Sequence, residues 1–191
     1  MFARTQRLTL RPGWPEDAPA LTAAIAHEAV AFRLARLPWP YTIDHARAWL
    51  AQESRSGEVS RVILAHDGGE ARLVGGIGIH PDGDAHEIGY WLTPDAWGRG
   101  YATEAARAML GIARYAMGLK RLTSGHFIDN PASGRVLAKL GFHPTGVVSR
   151  HCLAQGVDKP CATLALTLAA EEPTGTADRK PTGAGGPRLA A

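Results

Sequence analysis

Along this chain the apolar residues switch between alternating and helical spacing, and each change of period marks an element. Arg7-Leu8-Thr9-Leu10-Arg11 alternates and predicts a first strand. Pro15-Glu16-Asp17 opens a helix over Ala18–His27, with Leu21, Ala24 and Ile25 on one face. A second helical piece runs from Glu28 to Arg36, until Pro38-Trp39-Pro40-Tyr41 breaks it. Thr42 is the N-cap expected for a third helix carrying Ala46, Trp49 and Leu50. Ser60–His66 and Ala71–Ile79 are β-rich and predict a hairpin around Asp67-Gly68-Gly69-Glu70. A turn at His80–Asp84 leads into a strand at His86–Leu92. Ala102, Ala105, Ala106, Met109, Leu110 and Ala113 then recur at helical spacing. Leu122–Ile128 is another strand. Asn130 and Pro131 start a short helix bearing Val136, Leu137 and Leu140, and Gly141 closes it. Phe142–Arg150 and Cys161–Leu168 are the last two strands. This order predicts a mixed α/β fold without the strict alternation of a Rossmann sheet.

From Glu171 onward the chain is rich in Thr, Gly, Pro and Ala and nearly devoid of large apolar residues. Such a segment buries too little surface to offset its ordering entropy. The expected organisation is one domain over 1–170 and a disordered tail over 171–191. The formal charge of +3 comes from 21 basic and 18 acidic residues, with no Lys/Arg run suited to nucleic acid. The two cysteines, Cys152 and Cys161, match no metal-ligand spacing and make no disulfide framework. No metal is expected. No apolar stretch is long enough for a membrane span, and Met1–Leu10 has no signal-peptide core. The expected location is the cytoplasm, with no membrane or nucleic-acid partner.

The run Trp97-Gly98-Arg99-Gly100-Tyr101-Ala102-Thr103 lies between a strand and a helix. The first N–H groups of a helix have no partner within it, and the helix dipole adds partial positive charge there. Glycines let a ligand approach that backbone closely. The run is therefore a candidate phosphate cradle.

In this setting the run resembles the phosphate-binding segment of the GNAT superfamily of acyl-CoA-dependent N-acetyltransferases. That segment reads Gln/Arg-x-x-Gly-x-Gly/Ala, and here Trp97 replaces its first residue. Asn130-Pro131-Ala132-Ser133 with Lys139-Leu140-Gly141-Phe142 is similar to a second segment of the same superfamily. Pro131 and Ser133 resemble the branch containing the Rim enzymes, which acetylate N-termini of ribosomal proteins. The resemblance extends from Arg7 to about Leu168. It implies a central, mostly antiparallel sheet flanked by helices, with acetyl-CoA as acetyl donor. It further implies that residues Trp97, Gly98, Arg99, Gly100, Tyr101, Ala102 and Thr103 bind the CoA pyrophosphate. Backbone groups of Tyr90, Trp91 and Leu92 would hold the thioester carbonyl. Asn130 is a helix cap that would also meet the pantetheine arm. Arg99, Arg135 and Lys139 are either phosphate contacts or solvated surface charges.

Acetyl transfer to an amine needs a held donor, a deprotonated amine, a stabilised oxyanion and a proton for the thiolate. Glu87, on the strand before the glycine turn, is the candidate base, with a pKa that burial would raise, or else it orients the acceptor. Many GNAT enzymes carry a Tyr where this chain has Leu137. Ser133 is the remaining candidate proton donor, or else it bonds within its own helix. His143 and His151, and the loop carrying Trp39 and Tyr41, are candidates for lining the acceptor cleft. The expected acceptor is a primary amine, on a protein N-terminus or a small molecule, and the protein is a monomer or homodimer. Two other readings stand beside this one. One is a non-catalytic acyl-CoA sensor with the same fold, and the other is a mononucleotide-binding α/β enzyme.

Overall fold

A computed structural model describes residues 2–52, 57–67 and 69–168. The expected tail over 171–191 lies outside the described residues. Eight strands form one sheet: β1 (Ala3–Arg4), β2 (Leu8–Arg11), β3 (Val59–Ala65), β4 (Arg72–Asp82), β5 (Ala85–Leu92), β6 (Arg121–Phe127), β7 (His143–Cys152) and β8 (Val157–Thr167). Their spatial order is β1-β2-β3-β4-β5-β6-β8-β7. Every neighbouring pair is antiparallel except β5 and β6. Among the described residues five α-helices accompany the sheet: α1 (Ala18–Ile25), α2 (Glu28–Ala31), α3 (Ile43–Leu50), α4 (Tyr101–Gly111) and α5 (Pro131–Lys139). This is the mixed, mostly antiparallel sheet flanked by helices that the family resemblance implies.

The sheet separates two apolar layers. On one face, Leu8, Leu10, Ile63, Ile79, Ile88 and Leu122 pack with Tyr101, Ala105, Ala106 and Met109 of α4 and Leu137 of α5. On the other, Leu73 and Trp91 meet Leu21 of α1 and Ala46 of α3. The period-two alternation of β5 does the sorting. Ile88, Tyr90 and Leu92 join the α4 layer, while Trp91 joins the α1–α3 layer.

β5 and β6 are parallel, which requires a crossover, and α4 supplies it. Their pairing is confined to Glu87↔Thr123. The Thr123 Oγ1 donates to His86 O at 3.1 Å and the Ser124 Oγ to Ile88 O at 2.8 Å. Beyond Ile88 the two strands part, so the backbone of Gly89–Leu92 faces a gap. α4 continues into a wider turn over Ile112–Ala116, closed by Met117 N donating to Ile112 O at 3.0 Å.

The sequence-based boundaries need several corrections. The second helical piece stops at Ala31 rather than Arg36. Arg33 and Leu34 donate to the carbonyls three residues back, tightening the turn until the chain runs out toward Pro38. The expected five-residue turn at His80–Asp84 shrinks to Gly83-Asp84, with Gly83 at φ 58°. β1 adds an edge strand too short to leave a periodic signature.

Leu122 is fully buried in the larger layer, whereas Tyr115 is 71% exposed. Leu122→Ala is expected to lower unfolding stability by about 2–5 kcal/mol, while Tyr115→Ala changes it by less than ~0.5 kcal/mol. Urea denaturation of the two variants checks the assignment of the core.

Candidate active site

The turn between β5 and α4 is held open by its neighbours. Gly98 and Gly100 have φ 76° and 80°, conformations that glycine adopts at little cost, and Gly100 is the N-cap of α4. Trp97 is pinned from both sides: its Nε1 donates to Leu92 O at 2.9 Å, and the Arg33 guanidinium lies 4.9 Å from its ring centroid. Tyr101 points away from the turn into the core, and its hydroxyl donates to the Asp67 carboxylate at 2.6 Å. Arg7 lies over the Tyr101 ring, donates to Arg99 O at 2.9 Å, and pairs with Glu104 at 2.6 Å. Thr5 Oγ1 also donates to Glu104, at 2.5 Å.

These anchors leave the backbone donors free. Among the described residues, none of the N–H groups of Gly98 through Thr103 donates a hydrogen bond. A Cβ added at Gly98 would meet no heavy atom within 4 Å. The turn therefore offers unpaired donors at a helix N-terminus with open space above them, a donor set that fits a phosphate group.

The second element is α5. Asn130 caps it, accepting from Ser133 N at 3.4 Å, and Phe142 N donates to Leu137 O across Gly141 at φ 87°. Leu137 is fully buried, so this position serves packing. A phenol nevertheless reaches the start of α5 from elsewhere. The Tyr90 hydroxyl sits 2.9 Å from Ser133 Oγ and 3.2 Å from Ser133 O. Burial pushes the Tyr90 phenol up to about 12, against the weaker downward pull of Ser133.

The third element is a charged cluster where β5 meets β6. Glu87 is buried at 5% exposure. Arg150 of β7 donates to its Oε1 at 2.6 Å, and His80 Nε2 lies 3.5 Å from Oε2. Gly125 makes the room, since a Cβ there would come within 3.1 Å of Cys161 Sγ and 3.5 Å of Glu87 Oε1. Burial alone would raise the Glu87 pKa. The hydrogen bonds and charges of His80 and Arg150 outweigh it, and the net shift is downward. This corrects the sequence-based expectation of a raised pKa: the missing ingredients are His80 and Arg150, the latter 63 residues away.

All three elements line one cleft of about 1140 Å³. It brings together Glu87, Tyr90, Trp91, Leu92, Trp97, Gly98, Gly100, Tyr101, Ala102, Thr103, Asn130, Ser133, Arg135 and Lys139. Arg99 is exposed on the turn itself. Tyr41 lines the cleft, but His143 and His151 do not. His151 instead pairs with Asp158 across the exposed β7–β8 hairpin, at 2.7 Å. The sequence reading missed His80, Arg150 and the Tyr90 side chain. His80 was legible, since a two-residue turn at Gly83-Asp84 places it opposite Glu87.

A family model described as an acetyltransferase (GNAT) domain matches residues 7–143. The chain belongs to the GNAT acetyltransferase family. An uncharacterized N-acetyltransferase, YoaA of Bacillus subtilis, is 34% identical over 161 residues, covering 80% of this chain and 88% of the relative. A ribosomal-protein-S5-alanine acetyltransferase from Vibrio fischeri superposes with a TM-score of 0.76 at 17% identity, over 91% of this chain and 100% of that one. The microcin C7 self-immunity acetyltransferase MccE, solved with acetyl-CoA and AMP, gives a TM-score of 0.71 at 18% identity, over 85% and 93% of the two chains. At such identities the structural likeness speaks to fold. This GNAT protein is an acetyl-CoA-dependent N-acetyltransferase. No helix among its described residues is long and apolar enough to cross a membrane.

The Glu87 cluster has a consequence for acid stability. A carboxyl whose pKa is lower folded than unfolded adds stability above its ordinary value of 4.5, and loses it as pH falls through the folded value. The stability difference between wild type and Glu87→Gln should therefore be constant near neutrality and shrink below about pH 4.5. Chemical denaturation between pH 7 and 3 reads it; a difference that grows on acidification contradicts the downward shift.

Proposed function

We propose that this GNAT enzyme transfers the acetyl group directly to a primary amine held in the same cleft, without a covalent enzyme intermediate. One observation carries the reading: the free N–H groups at Gly98–Thr103 open onto the cleft that also contains the ionised Glu87 cluster. Holding both reactants in one site supplies much of the rate through proximity and orientation. Acetyl-CoA supplies an acyl carbon activated as a thioester.

The chain's own residues divide the work. Backbone N–H groups of residues 98–103 bind the pyrophosphate, with Arg99 and Arg135 adding charge. Asn130 contacts the pantetheine arm. Along Tyr90, Trp91 and Leu92, the backbone groups turned away from β4 offer donors to the carbonyl oxygen. Glu87 governs deprotonation of the amine. Ser133, bonded to the Tyr90 hydroxyl, supplies the proton to the departing sulfur. The Tyr90–Ser133 pair supports catalysis over a sensor role, because it restores a phenol where Leu137 has none.

The acceptor is a protein N-terminus or a small-molecule amine. Pro131 and Ser133 favour the former, in line with the S5-alanine acetyltransferase likeness. The MccE likeness shows that the same fold also serves a microcin self-immunity enzyme.

Thiol release from acetyl-CoA tests this reading with alanine amide, a serine-initiated hexapeptide, spermidine and an aminoglycoside. At least one amine is expected to release CoA well above the hydrolytic background. Gly100→Trp is expected to weaken acetyl-CoA binding at least ~10-fold, because it fills the cradle and strains a left-handed position. A wild type that binds acetyl-CoA yet releases no thiol with any amine establishes the sensor reading instead.

A further inference from the structure

We propose that His80, rather than Glu87, takes the proton from the attacking amine, and that Glu87 is its positioning residue. The inference rests on the acetyl-transfer reading above and assigns one step within it.

The first ground is that Glu87 is fully engaged. Its Oε1 accepts from Arg150 at 2.6 Å, its Oε2 faces His80 Nε2 at 3.5 Å, and its side chain is only 7% exposed. The His80 hydrogen bond and Arg150 together outweigh burial and keep the carboxylate ionised and weakly basic. A carboxylate in that condition is poorly matched to a proton coming off nitrogen.

The second ground is geometry. His80 and Glu87 are register partners on β4 and β5, so their side chains share one face of the sheet. The His80 side chain is 27% exposed and lines the cleft, making it the more accessible of the pair. Its ring lies alongside Gly89, where a Cβ would fall 3.9 Å from His80 Cε1. Gly89 immediately precedes the Tyr90–Leu92 edge. The imidazole therefore sits beside the edge assigned to the acyl carbonyl.

The third ground is the tautomer. With Nε2–H directed at the Glu87 carboxylate, the Nδ1 lone pair is left as the acceptor. Among the described residues no donor occupies Nδ1. A neutral imidazole with a free lone pair can take up a proton and release it to water, which suits a base that must reload each cycle. The charged and titratable groups around the ring are few. Glu87 faces it from β5, with Arg150 of β7 on the other oxygen of Glu87 and Cys161 of β8 lining the same cleft. Asp82 lies two residues along β4, Glu58 just ahead of β3, and His45 of α3 lines the same cleft.

The step balances within this chain's groups and water. The amine nitrogen forms a bond to the acetyl carbon, and the carbon–sulfur bond breaks. The N–H proton passes to His80 Nδ1, giving an imidazolium that the Glu87 carboxylate stabilises. The thiolate takes a proton from the Tyr90–Ser133 pair. Water then removes the imidazolium proton and restores the hydroxyl pair.

The test uses the full chain and the fastest amine among alanine amide, a serine-initiated hexapeptide and spermidine, so that the amine's own ionisation is common to every variant. His80→Gln is expected to lower kcat/KM at least ~10²-fold with acetyl-CoA affinity within twofold of wild type. It also removes the acidic limb of the pH profile attributable to the enzyme. His80→Ala is expected to be partly rescued by added imidazole, a response that a structural role does not produce. Glu87→Gln slows turnover but keeps the limb. The inference is overturned if His80→Gln matches wild type in rate and profile. It is equally overturned if Glu87→Gln abolishes the limb while His80→Gln retains it. A wild type inactive on every amine overturns the enzyme reading and this one together, whereas an active wild type with an equally active His80→Gln overturns this one alone.

Discussion

Among the described residues β5 and β6 are the only parallel neighbours in the sheet, and their pairing is confined to one register pair before they separate. The chemistry of the cleft depends on that separation. A fully laddered sheet would spend the donors and acceptors of Gly89–Leu92 on β6. Here those turned away from β4 have no β6 register partner, while β4 takes the others and Leu92 O accepts from Trp97 Nε1, and the gap opens beside the glycine turn that ends the same strand. The crossover helix α4 makes both features at once. It begins at Gly100, where its N-terminal amides are unpaired, and it packs Tyr101, Ala105 and Met109 against the sheet that it bridges. The candidate donor site and the candidate reaction site are thus two ends of one strand–turn–helix unit.

Charge in the cleft is arranged with similar economy. Glu87 is carried inward by strand alternation, and an isolated buried carboxylate would be costly. Arg150 arrives from β7 and His80 from β4, so the cluster ties three strands together across the point where the sheet divides. The Tyr90–Ser133 bond does the same on the opposite face, linking β5 to α5. A phenol reaches the start of α5 from the strand, while Leu137 on the helix is used for packing.

What was legible in the sequence was local. The glycine turn, the Asn130-Pro131 start and the Gly141 stop are written in residues a few positions apart, because left-handed backbone and helix caps are short-range requirements. Pairings across the fold were not legible. Arg150 and Glu87 are 63 residues apart, and Tyr90 and Ser133 are 43 apart. Nothing in local spacing distinguishes Arg150 from any surface arginine, and Arg150 joins His80 in turning the Glu87 pKa downward. The truncated α2 failed for a related reason. Its residues suit a helix, yet only four of them form one before the chain turns toward Pro38.

The central claim is that the amides at the start of α4 receive the phosphates of the acetyl donor. Backbone amide NMR of the full chain during an acetyl-CoA titration tests it most directly. The account predicts saturable shifts concentrated at Gly98, Arg99, Gly100, Tyr101, Ala102 and Thr103, larger than those on the exposed β7–β8 hairpin. Saturable binding that leaves these amides unmoved would contradict it.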